Sequence, residues 1–546
     1  MLLLFGTLGI SFALTLAADP ITINATLLSR LFDGIGGLSG GGATSRLLRD
    51  YPPDQAAAVF DLLFKPKYGA ALQIVKVEIG GDTFSGCGTE PSHMHTADDL
   101  GVRGYEWWVL QQAKKRNPDV RTYGLPWGFP AWIGRGALNA NQALYTTRWA
   151  QLARQQGLTV DFLGIWNEDS YSADYVKLLR RSLDEAQFNQ THLVVADNAL
   201  PSMDVIAADM EADPQFAAAV DVIGVHYPLA GTSSAAGVAA DAALWSSEDS
   251  STHDDAVGGG CWAHRLNNNW VEGSYTATIM WNLVSSYYEP LRWFGDSMLN
   301  AAQPWSGSFS VKSPVWISAH TTQFTSPGWH YLPVGGSGGS GQLPRGGTYV
   351  TLVSAKDTTI VLETMTYNHS LCIRDNAQTP WEVQPQNLTL RLVNLPENPT
   401  SLTVWRTVLF SGGVATNDSQ WFIQEADVAV VDGTVSMFLD VDTVVTLSTT
   451  TGQSKGSREA PSPSPFPMPF AAPLTTGVND TFAPYFSDMA GSFSYRQSPS
   501  NASEMALTQV VLQSPSGMMC DSKQPLTIVG DYNTTDVFVN VTVYME

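Results

Sequence analysis

Two glutamates stand where an apolar run gives out. Glu168 follows LGIWN in the stretch LGIWNEDS, and Glu248 follows ALWSS in ALWSSED. Asn, Asp and Ser suit the turn after a strand, whereas glutamate suits neither a turn nor a core. A carboxylate pair of this kind can cleave a glycosidic bond. One member protonates the leaving oxygen, and the other attacks the anomeric carbon or activates water. Asn167 can hydrogen-bond the sugar 2-hydroxyl, a contact that strengthens in the transition state. An Asn-Glu dipeptide alone carries no weight, since about one arises by chance in such a chain. The weight lies in the placement of both glutamates at strand ends, against the bland alternative of two surface carboxylates.

That placement depends on the elements around them. From about residue 30 to 320 the candidate strands are FDGIGGL, LQIVKVEIGG, VRTYGLPW, VDFLGIWNE, HLVVADN, VDVIGVHYP, ALWSSED and TIMWNLV. Segments with helical apolar spacing, such as SADYVKLLRRSLDEAQ, lie between them. Eight strands alternating with helices predict an α/β TIM barrel, in which catalytic groups sit at the C-terminal strand ends. Glu168 then ends strand four and Glu248 ends strand seven. After the barrel, YVTLVSA, TIVLETM, LTLRLVN, LTVWRTV and TVVTLSTT predict an all-β sandwich. SREAPSPSPFPMPFAAP is a proline-rich linker. Strand-like pieces such as LTIVGDYN and DVFVNVTVYME follow it, in a third domain expected to be incomplete.

Composition excludes other classes. The net charge of -22 argues against a nucleic-acid partner, which needs a basic face. Beyond the N-terminus no run reaches the ~20 apolar residues of a transmembrane anchor. MLLLFGTLGISFALTLAADP, apolar and ending in small residues, is expected to be a signal peptide cleaved near Ala17 or Ala18. Sequons at Asn24, Asn189, Asn368, Asn387, Asn417, Asn479, Asn501, Asn533 and Asn540 suggest a glycosylated secretory protein. Cys87, Cys261, Cys372 and Cys520 show no zinc spacing, so one or two disulfides are expected.

Three features are decoys. GIGGLSGGGA lacks the Gly-Lys-Ser/Thr end of a phosphate loop. His93 and His95 in HMH have no further metal ligand in sequence reach, so no catalytic metal or cofactor is expected. GGSGGSG, between WHYL and TYVTL, reads as a hairpin loop rather than an interdomain linker.

Long motifs, in order, make the chain similar to the galactocerebrosidases, a family of lysosomal glycoside hydrolases. They are FDGIGGLSGGGATSRLL, KVEIGGD, GTEPSHMH, RGYEWW, GLPWGFPAW, GIWNE, DVIGVHYP, LWSSED, WNLVSSYYE and SPVWISAHTTQFTSPGWHYL. The resemblance implies a division into signal peptide 1–18, N-terminal segment 19–36 joining the sandwich, barrel 37–327, sandwich 328–452, linker 453–473 and partial lectin-like β domain 474–546. It implies a retaining mechanism, with Glu168 as acid/base and Glu248 as nucleophile. Thr89, Trp127, Asn167, Trp281 and Arg374 match the family's galactose-binding positions, and Cys261 with Cys372 its disulfide. It further implies galactosylceramide and related galactosyl lipids as substrate, a saposin-type lipid carrier, a lysosomal or secreted location, and a structural calcium in the lectin-like domain. Two positions depart from the family: Trp293 stands where it has tyrosine, and Met518 lies near where it has a lectin-domain tryptophan. Cys87 and Cys520 lie outside its pattern. Competing readings are a barrel glycosidase for glucosyl lipids or soluble galactosides, and a non-catalytic sugar-binding glycoprotein. Retention of both glutamates favours an enzyme.

Overall fold

The structure, a computed structural model, describes residues 19–546 except 135, 137, 229–231, 250–252, 337, 375–378, 457–458, 518–523, 536, 542 and 544–546. The expected signal peptide, Met518 and Cys520 lie outside the described residues.

The eight expected strands close a parallel barrel: Gly34–Ser39, Ile74–Ile79, Arg121–Pro126, Phe162–Gly164, His192–Ala199, Val222–His226, Ala243–Asp249 and Ala277–Trp281. Every residue of Ile74–Ile79 is buried, and alternation sorts its side chains. Val75, Val77 and Ile79 pack outward with the helix layer, while Ile74 faces the lumen with Leu38, Tyr123 and Trp245. The helices form for local reasons. Ala173–Glu185 starts at Ser172, whose hydroxyl accepts from the Tyr175 amide, and buries Tyr175, Val176, Leu179 and Leu183 along one stripe. The first barrel strand begins at Gly34, so the boundary drawn at 36/37 cuts through it.

Two sheets form the sandwich. One contains Thr348–Val353, Thr358–Glu363, Thr443–Ser448, Ser401–Val408 and Ile423–Ala429. The other pairs Ile21–Asn24 in parallel with Gln386–Val393, so the N-terminal segment completes a domain that otherwise lies after the barrel. GGSGGSG does sit in a hairpin, between His330–Tyr331 and Thr348–Val353. The proline-rich linker is docked rather than free. Phe466 is buried against Trp305 and Tyr485, and Trp305 donates to the Ser464 carbonyl.

The C-terminal region holds two short antiparallel pairs, Ser487–Ala490 with Leu526–Ile528 and Phe493–Gln497 with Met505–Gln509. Ser516–Gly517 instead pairs with Gly128–Phe129 of the barrel mouth. DVFVNVTVYME is not a strand in its described residues, and Val537, Phe538, Val539, Val541 and Val543 are exposed. Alternating valines make a strand only where a neighbour supplies the ladder, and none does so among the described residues.

Cys261, on helix Ala256–Val271, is bonded to Cys372 of the sandwich, 111 residues later. Loop-closure entropy for that span is worth up to about 4–5 kcal/mol. Cys372→Ser is therefore expected to lower the unfolding midpoint and to weaken sugar binding, because Arg374 lies two residues beyond the bridge. An unchanged midpoint in denaturant would count against the bridge as a fastener.

Candidate active site

Strand four ends at Gly164, so Glu168 lies beyond the strand rather than at its end: buried Ile165 and Trp166 continue the apolar run as the chain turns across the barrel mouth. The Asn167 amide donates to the Pro126 carbonyl and the Glu168 amide to the Asp197 carbonyl, so neighbouring strand ends fix the seam. Glu168 has φ +49, a left-handed conformation uncommon outside glycine. This conformation turns the chain where the barrel strand stops. Glu248 lies near the end of strand seven and is buried. One of its oxygens accepts from the Tyr227 hydroxyl at 2.6 Å, and the other has no hydrogen-bond partner among the described residues. Carboxylate oxygens of Glu168 and Glu248 lie within 4.8 Å of each other.

The other predicted residues gather unevenly. Asn167 is buried beside Glu168. The Arg374 guanidinium lies 3.8 Å from Glu168 Oε1 and stacks over Tyr227 at 4.2 Å, Trp293 at 5.1 Å and Trp281 at 5.7 Å. Trp293, the departure noted above, thus supplies a face for the arginine. Trp281 donates to the Gly40 carbonyl and presses on Gly41, where a Cβ would stand 3.0 Å from the indole nitrogen at φ +75. This close approach accounts for the glycine run GGLSGGG better than any phosphate does. Trp127 is buried, with the Lys76 ammonium 5.8 Å from its ring centre. Thr89 sits on the next loop. Its amide donates to the Asp488 carbonyl, and its hydroxyl has no hydrogen-bond partner among the described residues.

Sequence reasoning missed the groups beneath the pair. Lys76 Nζ contacts Asp197 at 2.9 Å, and Tyr123 donates to the same carboxylate. His226 reaches Asp197 through Nε2 at 3.2 Å, Glu168 through Nδ1 at 3.2 Å and Glu248 through Nδ1 at 3.8 Å. The available signal was a charged or imidazole side chain inside an otherwise apolar strand: Lys76 in IVKVEI, Asp197 in VVADN, His226 in VIGVH.

The electrostatics follow from these contacts. Burial pushes the Glu168 carboxyl up, but the His226 hydrogen bond and charge, then Arg374 and Lys76, outweigh it and hold it below its ordinary value. Burial pulls the His226 ring down, yet the Glu248 charge and the hydrogen bonds to Asp197 and Glu168 push it up to about 9. Mutual repulsion of the two glutamates would have raised Glu168. The imidazole beside them reverses that expectation.

His93 faces the Tyr145 carbonyl and His95 faces Asp82, in separate contacts. Among the described residues, Glu168, His226 and Glu248 form the one group of three or more His, Cys, Asp or Glu close enough to share an ion. Among the described residues of the lectin-like region there is no such group. Asn189, Asn368, Asn387, Asn417, Asn479, Asn501, Asn533 and Asn540 are exposed, as a glycan requires, and Asn24 is half-buried. Cys87 is a buried thiol that donates to the Arg292 carbonyl. A cleft of about 850 Å³ on the sandwich, lined by Arg406, Glu425, Phe438 and Asp440 among others, contains none of the predicted site residues.

Behind the mouth lie three fully buried carboxyls. Burial pushes Glu78 up to about 7, and burial followed by the Glu90 charge raises Glu106. Such groups hold protons more tightly folded than unfolded. The stability they add is present below the ordinary carboxylate value and is lost as pH rises through about 7. Glu78 alone accounts for on the order of 3 kcal/mol. The protein should melt higher at about pH 5 than at about pH 7.5, and Glu78→Gln should narrow the gap. A melting temperature that rises toward neutrality would contradict this.

Comparison with known proteins agrees with the fold. Residues 32–323 match the family described as glycosyl hydrolase family 59, residues 335–454 its central domain, and residues 488–546 the galactocerebrosidase C-terminal lectin domain. The chain is 44% identical over 542 residues to galactocerebrosidase of Danio rerio, covering 95% of this chain and 78% of that one. It is 42% identical over 545 residues to galactocerebrosidase of Homo sapiens, covering 95% and 76%. The catalytic domain of xylanase C from Talaromyces cellulolyticus superposes with a TM-score of 0.59 at 15% identity, covering 79% of this chain and 100% of that one. At that identity it shares the fold alone. With a closed eight-stranded barrel, Glu168 in the turn after strand four, Glu248 near the end of strand seven, and these relatives, the chain belongs to glycosyl hydrolase family 59 and is a glycoside hydrolase.

Proposed function

We propose that this enzyme is a retaining β-galactosidase that hydrolyses galactosylceramide and related galactosyl lipids to galactose and ceramide. The observation that carries the mechanism is the separation of the pair, with oxygens within 4.8 Å. Retaining carboxyls stand about 5–5.5 Å apart, whereas inverting ones need about 6.5–9.5 Å to admit a water. The relatives named galactocerebrosidase support the substrate.

Glu248, buried with one oxygen fixed by the Tyr227 hydroxyl and the other without a hydrogen-bond partner among the described residues, is the nucleophile. Glu168, with its side chain 26% exposed, is the acid/base and meets the leaving group on the open side. Asn167 holds the 2-hydroxyl, Trp127 and Trp281 offer flat faces to the sugar's C–H groups, and Thr89 and Arg374 donate to its hydroxyls. No helix among the described residues is long and apolar enough to cross a membrane. By resemblance to the family, a saposin-type carrier would bring the lipid to the site, in a lysosomal or secretory setting. Galactose release from galactosylceramide, with glucosylceramide and lactose in parallel, tests the assignment. Galactosylceramide should be cleaved fastest, and preference for either alternative would overturn it.

A further inference from the structure

We propose that His226 is a positioning residue: an imidazolium wedged between Glu168 and Glu248 that confines the acid-catalysed step to the acidic side of neutrality. The proposal rests on the reading of Glu168 as acid/base. Its geometric basis is that both ring nitrogens face carboxylates, Nδ1 toward Glu168 and Glu248 and Nε2 toward Asp197. A neutral imidazole has one N–H, which would leave a bare nitrogen against a carboxylate. Only the doubly protonated ring donates on both sides.

The surrounding charges agree. Strand two supplies Lys76, and strand three supplies Tyr123, which reaches the group through Asp197. Strand five supplies Asp197, the loop after strand four Glu168, and strand seven Glu248. Tyr227 adjoins the ring, and Arg374 from the sandwich faces Glu168. With Glu168 ionised, as the second step requires, three carboxylates are balanced by Lys76, Arg374 and His226 only when the imidazole carries its proton. With its side chain 2% exposed, the ring cannot exchange this role with bulk ions.

The consequence runs through both steps. In the first, a Glu248 oxygen bonds to the anomeric carbon, the bond to the leaving oxygen breaks, and that oxygen takes the proton from Glu168. In the second, water adds to the anomeric carbon, its proton goes to Glu168, and the ester bond to Glu248 breaks. His226 neither gains nor loses a proton. Its charge makes the Glu168 proton harder to hold, so the first step fails as pH rises, while the base needed in the second is kept ionised.

The test compares pH profiles of kcat/KM for wild type and His226→Gln, which keeps one donor and removes the charge. On galactosylceramide the basic limb should move upward by about one pH unit, a tenfold change in proton concentration. On a dinitrophenyl galactoside, whose departure needs no proton, it should stay in place. A limb on galactosylceramide that is unmoved or shifted downward overturns the proposal. NMR of ring-labelled histidine in the wild-type protein needs no variant. One ring should remain doubly protonated at about pH 8, and all rings neutral there overturns the proposal equally. Glu168→Ala is run alongside. If azide fails to rescue it, the acid/base reading falls and this proposal with it. If azide rescues it but the His226→Gln limb does not move, this proposal falls alone.

Discussion

Glu248→Gln is expected to lower kcat/KM by at least about 10⁴-fold on every galactoside, whatever its leaving group, on the order of 5 kcal/mol of barrier. The uniformity is the informative part. An amide cannot form the glycosyl ester, so no leaving group is good enough to compensate. The substitution is nearly isosteric, and the Tyr227 hydroxyl that donates to Glu248 Oε1 can donate to the amide oxygen as well. The fold should therefore survive, and the melting temperature should stay close to that of wild type. Mass spectrometry with a slow fluorinated galactosyl donor should detect a covalent adduct on wild type and none on the variant. An adduct on the variant, or a rate loss under about tenfold, places the nucleophile elsewhere.

Glu168→Ala should give the opposite dependence on leaving group. Galactosylceramide, whose alkoxide leaves poorly, should lose roughly 100- to 10,000-fold, the usual worth of a positioned general acid. A dinitrophenyl galactoside should form its ester with little loss in kcat/KM and then stall, because water needs the missing base. Azide attacks without base help, so it should speed turnover and yield the β-azide. Rescue of Glu248→Ala to the α-azide, with no effect on Glu168→Ala, would exchange the two roles.

The barrel was legible because each strand is covered on both faces. Such strands read as apolar runs, and helix-period segments between them leave one closed topology. Glu168 and Glu248 were legible for the same reason, as carboxylates at the seam where a run stops. Lys76, Asp197 and His226 were not. A charged residue in mid-strand looks like a defect when read along the chain, and its partners sit on other strands that only barrel closure brings together. His226 also changes the electrostatics: two glutamates considered alone repel each other, whereas this pair shares an imidazole. Residues 537–543 failed for the converse reason. Their alternation is strand-like, but the hydrogen-bonding neighbour that makes a strand is not encoded in the segment.

The Thr89 amide hangs from the Asp488 carbonyl, and Gly128–Phe129, next to Trp127, pairs with Ser516–Gly517. Both contacts reach the barrel mouth from segments that leave the ribosome well after the barrel. A barrel that folds during synthesis would hold its glutamates long before its rim is pinned. Newly made enzyme should thus stay silent until these later segments dock. Damage confined to residues 487–528 would then show as a maturation defect, with catalytic groups intact in a mouth that has not yet taken its shape.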